Sequence, residues 1–295
     1  MKPCYPLDVD DQREYPAGFS GRVLVWDIDK TYLATAFSSL KGLARIPVEL
    51  AVDKRAIPGM PDVLRGLRWG PGDQYAGAPL YFVSASPPQL RSAVERRMTM
   101  DGVEHDGMTF KHWARCIREG RPWRLFEQVG FKVCALLAGR LRRPLSREML
   151  FGDDAERDAE AYYLYARLLG GDLSPGEAVE AMQRAGVRSE DRRCARELLD
   201  AVGTPRGRVE RVFIHLERGS PPARFAPLGP LVVPVRGAVQ MALALLGAGA
   251  VREDTVARAV EAVRRADPRV DVADLVRDAV ARGLISADCN PIRFV

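Results

Sequence analysis

Histidine and cysteine are scarce in this chain: three and five in 295 residues. The cysteines (Cys4, Cys116, Cys134, Cys194, Cys289) are scattered, without paired spacing. A zinc site or a dithiol motif needs such spacing, so neither is expected. Free thiols are the reading that remains, and it suits a reducing cytoplasm. Lysine is scarce too. Of 44 basic residues only Lys2, Lys30, Lys41, Lys54, Lys111 and Lys132 are lysine. Few side chains therefore compete for a role that needs a compact ammonium. There are no low-complexity tracts, and the first twenty residues lack the apolar stretch of a secretory signal. The apolar segment 231–251 is interrupted by Pro234, Arg236 and three glycines. A spanning helix needs about 20 predominantly apolar residues. A strand at 231–233 and a buried helix at 238–246 are predicted instead.

What the chain does have is a composition able to build a core, with 47% hydrophobic residues. Net charge is +5 and pI about 9.0. That mild excess suits anionic substrates or an acidic surface and is not a nucleic-acid signature, so no nucleic-acid partner is expected.

Three apolar runs end in polar groups. Val23-Leu24-Val25-Trp26 ends in Asp27-Ile28-Asp29-Lys30-Thr31. Leu80-Tyr81-Phe82-Val83 ends in Ser84-Ala85-Ser86-Pro87, and Met149-Leu150-Phe151 breaks at Gly152 into Asp153-Asp154, with Asp158 following. Short β-rich runs of this kind read as buried strands. Their polar tips then lie where open α/β sheets place ligands. Two carboxylates spaced i, i+2 repel each other unless a cation or a reaction needs them. The plainer readings are a turn or N-cap for Asp29, a cap for Ser84 or Ser86, and a capping pair for Asp153 and Asp154.

The order strand–Asp-x-Asp, strand–Ser, Lys132, strand–Gly-Asp-Asp resembles the haloacid dehalogenase superfamily of phosphohydrolases. Pro58-Gly59-Met60, Val83-Ser84-Ala85-Ser86-Pro87-Pro88-Gln89-Leu90 and Gly152-Asp153-Asp154-Ala155-Glu156-Arg157-Asp158 look like the catalytic domain of App1-type phosphatidate phosphatases. Val212-Phe213-Ile214-His215-Leu216 resembles a later core strand of that family. The chain departs at Lys30, where a second Asp is usual, and at Pro88, where an aromatic is common; both positions border the phosphate pocket.

The resemblance implies an α/β fold: a Rossmann-like haloacid dehalogenase core with a parallel sheet and a small flap or cap at 32–56. A helical insertion and a C-terminal helical extension complete it. The expected organisation is a loop-like lead-in at 1–19, core at 20–170, helical insertion at 171–207, core again at 208–251 and helices at 252–295.

Phosphate-ester hydrolysis needs a nucleophile, an acid, charge neutralisation and a grip on the phosphoryl group. Asp27 is the candidate nucleophile and Asp29 the acid–base. Ser84 (or Ser86), Thr31 and Lys132 are the candidate phosphate-binding groups, with Lys111 as rival to Lys132. By resemblance a Mg²⁺ ion would be held by Asp27, the Asp29 carbonyl and Asp153, with Asp154 helping directly or through water. Asp158 would steady the lysine or the metal.

The implied activity is Mg²⁺-dependent phosphomonoester hydrolysis through an aspartyl-phosphate, with phosphatidate or a related lipid as one substrate. A soluble phosphate ester, a phosphoprotein or a catalytically silent interaction module remain alternatives. The expected setting is cytoplasmic, with peripheral contact at an anionic membrane. Trp113, Trp123 and the arginines between them read either as a lipid-facing patch or as a half-buried cluster. Arg124, Arg140, Arg142 and Arg143 are expected to supply electrostatic attraction.

Overall fold

The run Val23–Trp26 sends Leu24 and Trp26 to one side of a strand and Val23 and Val25 to the other. All four are buried, which is why the run shows no polar alternation: a parallel strand covered on both faces needs none. The computed structural model describes residues 4–34, 55–289 and 291–294. Its strands are β1 (Leu7–Asp11), β2 (Arg22–Trp26), β3 (Leu80–Ser84), β4 (Gly107–Lys111), β5 (Arg147–Asp153), β6 (Val209–His215) and β7 (Val232–Val235). They form one sheet in the order β1-β4-β3-β2-β5-β6-β7. Only β1 is antiparallel.

The helices, in chain order, are α1 (Met60–Trp69), α2 (Arg91–Met100), α3 (Trp113–Arg118), α4 (Val129–Arg140) and α5 (Asp158–Gly170). Then come α6 (Pro175–Arg184), α7 (Ser189–Val202), α8 (Gly237–Gly247), α9 (Glu253–Ala266) and α10 (Val272–Ala281). Apolar residues of α1, α2, α8, α9 and α10 pack on one face of the sheet. Those of α4 to α7 pack on the other. At the centre of the first face Trp26 stacks on Phe151 at 4.1 Å, and Phe151 on Phe213 at 5.1 Å. This aromatic row locks the registers of β2, β5 and β6.

The chain leaves β2 toward β3 and β4, then returns to β5 on the other side of β2 and continues to β6. In open α/β sheets the ligand crevice lies at such a reversal, beyond the carboxyl ends of the strands. Here that point lies over β2 and β5.

Several expectations need correction. The lead-in is not a loop: Leu7–Asp11 pairs with β4 along its whole length. Leu-Asp-Val-Asp-Asp carries little apolar signal because only Leu7 is buried. Its aspartates suit an exposed edge that must not recruit further strands. Strand β4 lies within 101–131, where no strand was expected. Helix α4 starts at Val129, so Lys132 lies in its first turn. Helix α5 starts only at Asp158, because residues 154–157 form the turn that Asp153 caps. The strand and buried helix expected within 231–251 are present as β7 and α8. Most of the expected flap, at 35–54, lies outside the described residues.

The free-thiol reading is also corrected. Cys4 and Cys194 form a disulfide across 190 positions. It joins the lead-in to α7, and only the docking of both on the α4 face brings the two residues together. The thiol argument for a reducing cytoplasm therefore falls away. Cys116, Cys134 and Cys289 are free.

Candidate active site

Strand β2 ends at Trp26, and the Asp27 amide donates to the Phe151 carbonyl at 2.8 Å. That bond carries the pairing one residue past the strand and holds Asp27 over β5. Lys30 then takes a left-handed conformation, φ 62°. Non-glycine residues adopt this region rarely, and such positions concentrate at functional sites. The turn is held from two sides. The Lys30 amide donates to the Leu33 carbonyl at 2.7 Å. The Lys30 carbonyl accepts from His215 Nδ1, 2.9 Å away at the end of β6.

Lys132, in the first turns of α4, is completely buried. Its ammonium donates to Asp27 Oδ1 at 2.9 Å and to Asp158 Oδ1, and lies 3.5 Å from Glu156 Oε2. Asp27 Oδ2 is buried without a hydrogen-bond partner among the described residues. Asp27, Glu156 and Asp158 can each point an oxygen at a common position, with these atoms within 4.8 Å of one another. The Asp158 carboxylate also lies against the β5 tip, where Oδ2 accepts the Asp153 amide at 3.2 Å. A Cβ on Gly152 would strike that carboxylate, which accounts for the glycine before the paired aspartates.

Burial pushes the Asp27 carboxyl well above its usual range, and the adjacent Lys132 only partly opposes it. Burial also raises Glu156, and raises Asp158 to about 7, again against the pull of Lys132. For Lys132 burial works against the charge, but Asp158, Asp27 and their neighbours outweigh it and hold the ammonium protonated. Among the described residues one fully buried cation, Lys132, faces several buried carboxylates, and a further cation or a bound proton must offset the remaining negative charge.

The second carboxylate is tied to β3. Asp29 Oδ2 accepts from Ser84 Oγ at 3.1 Å and from Ser86 Oγ at 2.7 Å. Ser84 Oγ also accepts the Ser86 amide at 3.0 Å. Both serines thus meet the same carboxylate; Ser84 is buried and Ser86 half-buried. Asp153 Oδ1 caps the following turn by accepting the Ala155 and Glu156 amides at 2.6 and 2.8 Å. Its Oδ2 accepts from Thr31 Oγ1 at 3.4 Å. Asp154 points elsewhere: its two oxygens accept the Arg218 and Ser220 amides at 2.8 and 3.1 Å.

The fold therefore gathers Asp27, Asp29, Thr31, Ser84, Lys132, Asp153 and Asp158 at one sheet end and turns Asp154 to the loop after β6. Lys111 stays apart. It donates to the carbonyls of Arg124 at 2.9 Å and of Glu127. Two residues escaped the sequence reading. Glu156 was visible within the acidic run but carried no assigned role. His215 lies opposite Asp153 in the β5–β6 register, a pairing no linear spacing reveals.

The expected arginine cluster also divides. Arg124, Arg140 and Arg143 are buried in ion pairs and ring contacts, so they cannot face a membrane. Only Arg142 is exposed, and it pairs with Asp11 at 3.2 Å. Trp113 is half-buried, its Nε1 donating to the Ala85 carbonyl at 2.9 Å, whereas Trp123 is exposed.

Residues 22–172, just over half of the chain, match the family described as phosphatidate phosphatase APP1, catalytic domain. No curated protein and no solved structure matches the chain. The matched span contains all seven gathered residues. The chain belongs to the App1 phosphatidate phosphatase catalytic-domain family, a family of phosphatase hydrolases.

Proposed function

We propose that this chain is a Mg²⁺-dependent phosphomonoesterase of the haloacid dehalogenase type, forming an aspartyl-phosphate on Asp27 and acting on phosphatidate or a closely related lipid phosphate. The observation that carries the reading is the buried excess of carboxylate around Lys132, with one Asp27 oxygen left without a partner.

An all-oxygen donor set of this kind fits a hard divalent cation. Asp27, Asp153 and the Asp29 carbonyl would hold it, with Glu156 and Asp158 close to Asp27. Bound there, the ion would neutralise charge on the phosphoryl oxygens. Asp154 has both oxygens committed to the 218–220 backbone, and we assign it to holding that loop.

The chain's own residues supply the rest. Asp27 carboxylate attacks phosphorus, and the ester P–O bond breaks toward the leaving alcohol. Asp29 gives that oxygen a proton. Asp29 then takes a proton from water, whose oxygen attacks phosphorus and releases Asp27 and inorganic phosphate. Ser84 and Ser86 orient Asp29 and turn their hydroxyls to a phosphoryl oxygen when it arrives. Lys132 keeps its proton throughout, screening Asp27 from the incoming phosphate and neutralising charge as the P–O bonds exchange. Thr31 and His215 hold the Asp27–Thr31 turn in shape, and Asp158 holds Lys132.

A lipid substrate implies peripheral contact with a membrane. None of the described helices is long and apolar enough to cross one. The test is phosphate release from phosphatidate in detergent micelles, with Mg²⁺ and with chelator, beside sugar and nucleotide phosphates. Mg²⁺-dependent release from phosphatidate is expected. Turnover of a soluble ester with none of phosphatidate would overturn the lipid assignment.

A further inference from the structure

Three of the eight large apolar side chains exposed among the described residues fall within ten positions: Ile117, Trp123 and Phe126. Ile117 is on α3, which packs against the short turn Pro122–Leu125 that carries Trp123. Phe126, 67% exposed, follows directly. Trp123 and Phe126 line a cleft of about 290 Å³ together with Arg157, Arg188 and the start of α4.

The charges of this region fall into two groups. Arg121 is neutralised by Glu119 and Glu190, and Arg124 by Asp191. Arg188 and Arg118 are exposed and make no ion pair among the described residues. The Arg188 guanidinium lies 5.2 Å from the centre of the Trp123 ring. An unpaired guanidinium over an exposed indole, beside a bare phenyl ring, combines an apolar anchor with cationic attraction. That pairing suits the interface of an anionic bilayer.

The patch also adjoins, along the chain, the segments that carry the reaction site. The cleft residues Glu127, Gln128 and Val129 lead directly into the helix turn that carries Lys132. Arg157 stands between Glu156 and Asp158 in the chain. A membrane seated on Trp123 and Phe126 would therefore meet the carboxyl end of the sheet, where a lipid phosphate must enter.

We propose that Ile117, Arg118, Trp123, Phe126 and Arg188 form the surface by which this chain docks on an anionic lipid bilayer. The proposal rests on the lipid-phosphate reading for its purpose, but the surface is tested by binding alone. The full-length protein is sedimented with phosphatidylserine–phosphatidylcholine vesicles and with phosphatidylcholine vesicles, at low and high salt. Binding to the anionic vesicles that falls with salt is expected, with little binding to neutral ones. Arg188→Glu, and separately Trp123→Ser with Phe126→Ser, should each lower partitioning by about tenfold or more. Both should hydrolyse a soluble aryl phosphate within about twofold of the parent rate, which shows that they are folded. Arg269→Glu makes the same charge change at an exposed site elsewhere and should bind as the parent does.

No binding by the parent protein, equal binding by the patch variants, or an equal loss in Arg269→Glu would each overturn the docking surface. Phosphatidate hydrolysis in detergent micelles, measured in parallel, reports on the functional reading independently of the docking surface.

Discussion

The two ends of β5 each bury a cluster of charges, and the clusters are built on opposite terms. At the amino end, Glu148 Oε2 accepts from Arg140 at 2.6 Å and from Tyr165 at 2.7 Å. Arg140 further donates to the Ser146 carbonyl at 2.5 Å, and Arg143 lies between Glu148 and Asp11. Two guanidiniums face two carboxylates. At the carboxyl end, Asp27, Glu156 and Asp158 crowd around Lys132, the one fully buried cation there among the described residues, with Asp153 behind them. The balanced cluster serves the fold. The unbalanced one is destabilising by itself, and a protein keeps such a site for what binds there.

This contrast gives different outcomes for substitutions at the two ends. The largest effect should come from Asp27→Asn. Loss of the proposed nucleophile should cut phosphate release by more than about 10³-fold. Because it removes one of the crowded carboxylates, it should leave the melting temperature unchanged or raised. A marked fall in melting temperature would place Asp27 with the scaffold pairs. Next in size, Asp29→Asn should cost about 10²–10⁴-fold in turnover through lost acid–base help. Mg²⁺ binding by calorimetry should stay close to that of the parent protein, since only the Asp29 backbone is assigned to the ion. Unchanged turnover would remove Asp29 from the chemistry.

At the amino end the readouts invert. Arg140→Met removes the hydrogen-bonded cation of buried Glu148, leaving it the more distant Arg143 at 3.9 Å, and should cost about 3–5 kcal/mol in a denaturant titration. Turnover of the protein that remains folded should stay within about twofold. Arg140→Met combined with Glu148→Leu should recover most of that stability, because no lone charge is left.

Lys111 offers a finer test, as a buried cation hydrogen-bonded to backbone carbonyls. Burial lowers its pKa from 10.5 to about 8, with Glu127 opposing. Between those values the unfolded chain holds the extra proton, so stability rises with pH across that window. Relative to Lys111→Met, the parent protein should gain up to about 1.4 kcal/mol per pH unit there. A difference independent of pH would mean that the carbonyl cage keeps the lysine charged.

Much of this was legible in the chain. Strands β2, β3 and β5 announce themselves because both of their faces are buried, and each run stops at a polar group that the fold gathers at the candidate site. Lys132 could be singled out because lysines are few. The edge strand β1 stayed hidden because only one of its side chains needs burial. Cys4 and Cys194 gave no hint of pairing, since their meeting depends on two separate segments docking on one helix layer. Arg124, Arg140 and Arg143 looked like a surface cluster because sequence shows charge but not the carboxylates folded against it. Asp154 looked like a ligand because adjacency in the chain does not tell which way a side chain turns at a strand end.

The central claim is that Asp27 becomes covalently phosphorylated. It is tested most directly by acid-quenching the protein during turnover and mapping the phosphate by mass spectrometry. The account predicts an acid-stable, base-labile acyl phosphate on the peptide containing Asp27, absent from Asp27→Asn. Phosphate on another residue, or turnover by Asp27→Asn at the parent rate, would contradict it.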